Sequence, residues 1–235
     1  MNAVSQTLAF AAPPAVRVPV ADGRFFPVRR IFCVGRNYAD HVAEMGGDAR
    51  ADPPVYFTKP ADALVFGPRA AYPPKTDDLH FEGELALCLG PGAERIADAA
   101  SARAAVFGLA AACDLTRRDL QKAAKAAGGP WDMAKGFDAS APLAPIAPGA
   151  AALDDAAARL RTRVNGEVRQ DAALAEMIWE PTEILVDLSS YVALAAGDVV
   201  LTGTPAGVGP LSAGDAVAVD VDGLPSLWFE VVGGR

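Results

Sequence analysis

Apolar residues occur along this chain mostly in short runs bounded by Gly, Pro, Asn or Asp, which is the pattern of β-strands separated by turns. A few longer segments have apolar residues spaced as on one face of a helix. The predicted strands are 25–34, 80–90, 108–113, 160–164, 168–172, 199–202, 216–221 and 227–232. The predicted helices are 38–45, 96–106, 118–127 and 181–194. This order, with mostly non-helical segments in the C-terminal half, predicts an α+β fold that is mainly β.

Glycine and proline positions add predictions about one turn and about the N-terminal segment. Asn165-Gly166 lies between two predicted strands and is a strong signal for a tight β-hairpin. Residues 1–28 are predicted to form an N-terminal arm, either loosely ordered or an edge strand, because prolines such as Pro13, Pro14 and Pro19 limit ladder pairing. The remaining residues, 29–235, are enough for one sizeable core and too few to need two, so we predict a single domain there.

Two acids stand at the start of the predicted strand 80–90. Side chains two apart on a strand point to the same side, so Glu82 and Glu84 are expected to lie next to each other. Paired carboxylates repel unless they share a cation, and hard oxygen ligands suit Mg²⁺, Mn²⁺ or Ca²⁺ better than Zn²⁺. The alternative is an exposed strand edge with two solvated acids.

A third acid, Asp114, follows the apolar run that ends at Cys113. It is a candidate third metal ligand, since three carboxylates leave positions open for water and a chelating substrate. The alternative role is an N-terminal cap of the helix that follows.

Composition excludes several classes of partner. The net charge of −8 argues against nucleic acid or an anionic membrane surface as the main partner. The three cysteines lie in apolar runs without C-x-x-C spacing, which favours free thiols in a reducing compartment. No run is long enough to span a membrane, and no secretory leader is recognised, so a cytoplasmic location is expected.

Six separated motifs resemble those of the fumarylacetoacetate hydrolase family, in the family's order. They are GRNYADH at 35–41, FTKP at 57–60, FEGEL at 81–85, DLTRRD at 114–119, WDMAKGFD at 131–138 and LTGTPAGVG at 201–209. Within the family, the chain is most similar to the bacterial acylpyruvate hydrolases, a branch that includes fumarylpyruvate hydrolases. The resemblance implies a mixed β-sandwich roll, a catalytic role for domain 29–235, and a homodimer.

The resemblance also implies a role for each candidate site residue. Mg²⁺ or Mn²⁺ would be held by Glu82, Glu84 and Asp114, while His41, Glu44 and Lys135 would be catalytic. The substrate would be bound by Arg36, Lys59, Arg118, Gln121 and Thr204. From spacing alone, these residues have other interpretations: a solvated pair for His41 and Glu44, exposed positions for the cations and Gln121, and a turn-stabilising hydroxyl for Thr204.

The activity that the resemblance implies is hydrolysis of a carbon–carbon bond in a 2,4-dioxo acid. The expected reaction converts fumarylpyruvate to fumarate and pyruvate, as in gentisate-type aromatic catabolism, and the distal carboxylate of this substrate would be held by Arg36 or Arg118. Oxaloacetate decarboxylation or tautomerisation, and isomerisation of 2-hydroxyhepta-2,4-diene-1,7-dioate, remain alternatives. A different class of function, a metal-binding module without catalysis, would bind metal and turn over none of these acids.

Overall fold

A computed structural model describes residues 8–44, 53–155 and 157–233, with the side chains of 42–44 outside the description. The helices are α1 (Ala39–Glu44), α2 (Ala99–Ala105), α3 (Arg118–Ala127), α4 (Asp132–Lys135) and α5 (Pro181–Tyr191). The first strands are β1 (Arg17–Pro19), β2 (Phe25–Pro27), β3 (Arg30–Gly35), β4 (Val55–Lys59), β5 (Leu64–Val65), β6 (Arg69–Ala71), β7 (Leu79–Phe81), β8 (Gly83–Leu89) and β9 (Val106–Cys113). The later strands are β10 (Thr116–Arg117), β11 (Ala141–Pro142), β12 (Ala147–Pro148), β13 (Arg159–Val164), β14 (Glu167–Ala173), β15 (Asp198–Leu201), β16 (Gly209–Leu211), β17 (Ala216–Val221) and β18 (Leu227–Val232).

Two mixed sheets carry the fold. The larger has the strand order β12-β9-β8-β15-β3-β4, in which β8 runs antiparallel to both β9 and β15. The second has the order β14-β13-β17-β18-β6, in which only the β6–β18 pair is parallel. The described residues also form a small sheet, β10-β7-β16, and the two-stranded pairs β1-β2 and β5-β11. The predicted α+β, mainly β class is confirmed.

The alternation of side chains on β8 divides the core in two. Leu85, Leu87 and Leu89 face the second sheet and share one apolar cluster with residues such as Phe229. Ala86 and Cys88, on the other face, belong to a second cluster that the N-terminal hairpin covers. Each large buried apolar side chain contributes about 1.5–3 kcal/mol. A slip of one residue would exchange the two faces, so burial on both sides fixes the register of β8.

Several predicted elements match the structure closely. Helix α3 has the predicted bounds 118–127, and β17 and β18 have the predicted bounds 216–221 and 227–232. The hairpin β13–β14 turns at Asn165 and Gly166, whose φ angles of 53° and 84° are the left-handed values that a type I′ turn needs. These elements depend on local sequence, which explains the agreement.

The single strand predicted for 80–90 is wrong. The chain leaves the small sheet after Phe81, Glu82 is outside any strand, and β8 begins at Gly83 in the larger sheet. The backbone changes sheets where it passes close to Thr162, since a Cβ on Gly83 would lie 1.9 Å from Thr162 Oγ1. The acids are thus placed at a break between two sheets.

Three other boundaries also need correction. The strand predicted for 25–34 is divided into β2 and β3, because Pro27 cannot donate to a ladder. The helix predicted for 96–106 starts only at Ala99, where Asp98 accepts a hydrogen bond from Ser101 N as an N-cap. The helix predicted for 181–194 ends at Tyr191. Within the arm predicted for 1–28, residues 17–27 form a hairpin whose Val18 and Phe26 are buried.

Candidate metal centre and active site

Three acids meet at one end of the larger sheet. The antiparallel register pairs Glu84 with Ala112, and Asp114 N donates to Glu82 O over 2.8 Å, so the residue after β9 lies beside the break before β8. One carboxylate oxygen from each of Glu82, Glu84 and Asp114 lies within 4.8 Å of the others. All three residues are at most 5% exposed. The structure therefore contradicts a solvated strand edge, and the N-cap position of α3 is Arg117, not Asp114.

Buried cations contact two of these acids. Lys135 Nζ lies 2.7 Å from Glu82 Oε2 and 2.7 Å from Asp114 Oδ2. Lys59 Nζ lies 2.8 Å from Asp114 Oδ1, and Arg118 donates a hydrogen bond to Glu82 Oε1. Removing one partner of such a buried pair leaves an uncompensated charge, which is strongly unfavourable. These three basic residues therefore belong to the framework of the acidic cluster.

The neighbouring charges shift the pKa values of Glu82 and Glu84 in opposite directions. Burial by itself would raise the pKa of Glu82, but the positive charges of Lys135 and Arg118 outweigh it and hold that pKa well below its usual range. Burial raises the pKa of Glu84, and the negative charges of Asp114 and Glu82 raise it further. In the described part of the chain, Glu84 has no ion-pair partner and accepts a 2.7 Å hydrogen bond from Gly203 N. A cation among the acids would relieve this repulsion.

The donor set fits a hard divalent cation. Three carboxylates supply the oxygen ligands that Mg²⁺ and Mn²⁺ prefer. Asp114 Oδ1 is buried and accepts no hydrogen bond from the described residues, although Lys59 Nζ lies 2.8 Å from it as an ion-pair partner. A buried carboxylate oxygen of this kind is suited to direct metal coordination.

The acids open into a cleft. Several predicted site residues line it together with Glu82 and Glu84, namely Arg36, His41, Arg118, Gln121, Lys135 and Thr204. His41 lies on α1 and is only 7% exposed. Glu44 ends the same helix, and its side chain lies outside the described part of the molecule. The cleft therefore combines acids, an imidazole and several cations.

Two predicted substrate-binding residues mainly contact the protein itself. Lys59 is 2% exposed, and its ammonium contacts Asp114 and donates to the carbonyls of Leu115 and Lys135. Thr204 Oγ1 donates to Gly83 O over 2.8 Å, so its hydrogen is directed to the backbone between the two glutamates. The exposed position that spacing alone suggested for Lys59 is not observed, since this residue is buried.

Other residues near the acids were not predicted from the sequence. Gln170 on β14 is 1% exposed and accepts a 3.0 Å hydrogen bond from Gly83 N. Phe57, Lys125 and Trp131 line the cleft. The spacing from Arg118 to Lys125, seven residues on one helix, was a signal that could have revealed Lys125. No sequence pattern pointed to Gln170, because it contacts the site from a different sheet.

The comparisons with known proteins agree with this geometry. Residues 30–232 match the model of the fumarylacetoacetate (FAA) hydrolase C-terminal family. The chain belongs to this family, and the predicted fold of that type is confirmed. No helix in the described ranges is long and apolar enough to cross a membrane.

Individual relatives differ in their named activities. A fumarylpyruvate hydrolase from Pseudomonas aeruginosa, solved with Mn²⁺ and pyruvate, superposes with a TM-score of 0.90 at 39% identity, covering 96% of this chain and 99% of that one. An oxaloacetate tautomerase of Escherichia coli is 44% identical over 84% of this chain and 90% of its own length. A mitochondrial oxaloacetate tautomerase of Mus musculus is 41% identical over 86% of this chain and 91% of its own.

Proposed function

We propose that this protein is a divalent-metal-dependent hydrolase that cleaves a carbon–carbon bond in a 2,4-dioxo acid, with fumarylpyruvate as the expected substrate. The observation that carries the proposal is a cluster of three buried carboxylates, two of which, Glu82 and Glu84, line a cleft together with His41 and Lys135. The Pseudomonas aeruginosa relative, solved with Mn²⁺ and pyruvate, supports both the cation and the keto-acid product.

Glu82, Glu84 and Asp114 would hold Mg²⁺ or Mn²⁺. When bound, the cation would supply Lewis-acid stabilisation of negative charge that develops on substrate oxygens. The framework of the site supports this role, because Lys135 and Arg118 keep Glu82 ionised while Gly203 N orients Glu84. Glu82 therefore does not have to lose a proton before it binds a cation.

His41 is proposed as the general base. It would take a proton from a water molecule that attacks the 4-carbonyl, and Glu44 would orient its imidazole. The bond between C3 and C4 then breaks, its electron pair forming the enolate of pyruvate while the acyl group leaves as fumarate. The proton held by His41 returns to C3 of the enolate, and the balance is one water consumed and two acids released.

Lys135 is proposed to stabilise the enolate as a cation. Burial by itself lowers the pKa of this lysine, but the negative charges of Asp114 and Glu82 outweigh it and raise that pKa above the ordinary value. The side chain therefore stays protonated at neutral pH and does not act as a base. Arg36 and Gln121 are proposed to contact the substrate, and Arg118, Lys59 and Thr204 to support the groups that do.

A second candidate is oxaloacetate tautomerisation, favoured by the two relatives with that name. This reaction also passes through an enolate, but it consumes no water and breaks no carbon–carbon bond. The relative solved with pyruvate favours the hydrolase, because pyruvate is a product of acylpyruvate cleavage and not of tautomerisation. The homodimer and the cytoplasmic location stay predictions.

The decisive experiment gives the purified protein Mg²⁺ or Mn²⁺ and, separately, fumarylpyruvate, acetylpyruvate and oxaloacetate. Loss of enol absorbance reports turnover, and product analysis separates cleavage from tautomerisation or decarboxylation. His41→Ala should slow cleavage by about 10²- to 10⁴-fold and leave metal affinity nearly unchanged. Asp40→Ala, exposed on the same helix, is the matched control. If oxaloacetate tautomerises and neither acylpyruvate is cleaved, the hydrolase proposal is wrong.

A further inference from the structure

Lys125 occupies an unusual position in the cleft. It lies on α3 seven residues after Arg118 and four after Gln121, so the three side chains share one helix face. Lys125 lines the same cleft as Glu82 and Glu84. A rise of 1.5 Å per residue places it about 10 Å along the helix axis from Arg118, away from the residue that contacts Glu82. The backbone of Lys125 therefore lies about two helical turns beyond the residue that contacts Glu82.

The ammonium of Lys125 has no anionic partner in the described residues. It forms no hydrogen bond or ion pair there, although its side chain is half-buried. Its Nζ lies 5.1 Å from the centroid of the Trp131 ring, within the range of a cation–π contact. The preceding lysine on the helix, Lys122, is exposed, and its Nζ lies 3.6 Å from Asp78 Oδ2. Lys125 differs in facing the cleft without a carboxylate in direct contact among the described residues, and the charge of Glu82 acts on it only from a distance.

The surroundings of Lys125 favour an anion. Burial lowers the pKa of Lys125, and the positive charges of Arg118 and Arg36 lower it further, by more than the negative charge of Glu82 raises it. A cation surrounded in this way is stabilised by an added negative charge. Arg118, by contrast, already donates to Glu82 and to Gln121 Oε1 at 2.5 Å. Of the cations proposed for a distal carboxylate, Arg118 is therefore a poor candidate.

We propose that Lys125, seated on Trp131, binds the distal carboxylate of a dicarboxylic acylpyruvate and so selects long substrates such as fumarylpyruvate over acetylpyruvate. This inference rests on the proposed function, because the near end of the substrate is taken to lie at the acids. Acetylpyruvate has no distal carboxylate. In oxaloacetate, the second carboxylate carbon is only two bonds from the keto carbon. With its keto acid end at the metal ligands, oxaloacetate is therefore expected to be too short to reach Lys125.

The kinetic test compares Lys125→Met with the unaltered enzyme in the presence of Mg²⁺. Methionine keeps an apolar stem against Trp131 and removes the charge. A charged hydrogen bond of about 1.5–3 kcal/mol corresponds to a loss of roughly 10- to 150-fold in kcat/KM for fumarylpyruvate, mostly through KM. The value for acetylpyruvate should change less than about 3-fold. Lys125→Arg should retain most of the fumarylpyruvate activity, and Lys122→Met is the matched control. Equal losses with both substrates, or no loss with fumarylpyruvate, would overturn the inference.

A binding measurement separates this inference from the reaction itself. Fumarate, the expected product, carries the distal carboxylate and can be titrated calorimetrically into the enzyme with Mg²⁺. Lys125→Met should weaken fumarate binding by at least 10-fold while its thermal unfolding stays unchanged. If wild-type protein cleaves no acylpyruvate but Lys125→Met still loses fumarate affinity, the proposed function fails and the anion site stands. Equal fumarate affinity in both proteins, or none in the wild type, would contradict the site.

Discussion

Gln170 should control both stability and metal affinity, because it connects the second sheet to the backbone between the two glutamates. Its Oε1 accepts from Gly83 N at 3.0 Å, and its Nε2 donates to Thr204 Oγ1 at 2.7 Å and to Pro205 O at 2.8 Å. Gln170→Met keeps the volume and removes all three hydrogen bonds. The N–H of Gly83 and the carbonyl of Pro205 are then buried without partners.

The expected loss of stability follows from the two polar groups that are left without a hydrogen-bond partner. Each buried polar group left without a partner costs about 1–3 kcal/mol, so the free energy of unfolding should fall by about 2–6 kcal/mol. For a chain of this size, the melting temperature should fall by about 2–4 °C for each kcal/mol lost. Since Gly83 separates Glu82 from Glu84, we also expect weaker binding of Mg²⁺ or Mn²⁺.

The assay combines urea denaturation of the metal-free protein with calorimetric titration of Mn²⁺ at a temperature where the variant is folded. Glu167→Gln, exposed on the same strand, is the control and should change neither quantity. Gln170→Glu restores the acceptor for Gly83 N and tests whether that hydrogen bond alone recovers metal affinity. A change in unfolding free energy below about 1 kcal/mol, with unchanged Mn²⁺ affinity, would refute the reasoning.

Three further predictions concern metal binding and the framework. Mg²⁺ or Mn²⁺ at 100 times its dissociation constant should stabilise the protein by about 2.7 kcal/mol and raise its melting temperature by several degrees. Glu84→Gln should remove most of that shift in a thermal scan, and a wild-type protein without any shift would contradict the metal site. Gly207→Ala should lower the free energy of unfolding, measured by urea denaturation, by about 3 kcal/mol. The reason is that φ of Gly207 is 96° and the new Cβ would lie 2.0 Å from Arg169 O. Gly223→Ala, at φ 81° with open space around it, should cost only about 1–2 kcal/mol, and equal losses would argue against the steric cause. Asp198→Ala should lower the free energy of unfolding by about 2 kcal/mol, which is less than for a fully buried ion pair because Arg29 and Arg30 are partly exposed. An unchanged urea denaturation curve would show that these ion pairs do not stabilise the protein.

The sequence by itself determined the elements that local chemistry controls. The Asn165-Gly166 turn adopts positive φ angles at low cost, and helix 118–127 ends where Gly128 takes the left-handed conformation. The spacing of Glu82 and Glu84 predicted two neighbouring carboxylates, and the motif order predicted the family that the comparisons established.

Only the tertiary structure decided how these acids are held and what surrounds them. Glu82 lies at a break between two sheets, a feature that no pattern within 80–90 revealed. Lys59, Lys135 and Gln170 reach the acids from separate parts of the chain, and the partner of each depends on strand register and on how the two sheets pack. The physical reason is that local propensity acts over a few residues, whereas a buried charge is stabilised by whichever distant groups the packed core brings within a few ångströms of it.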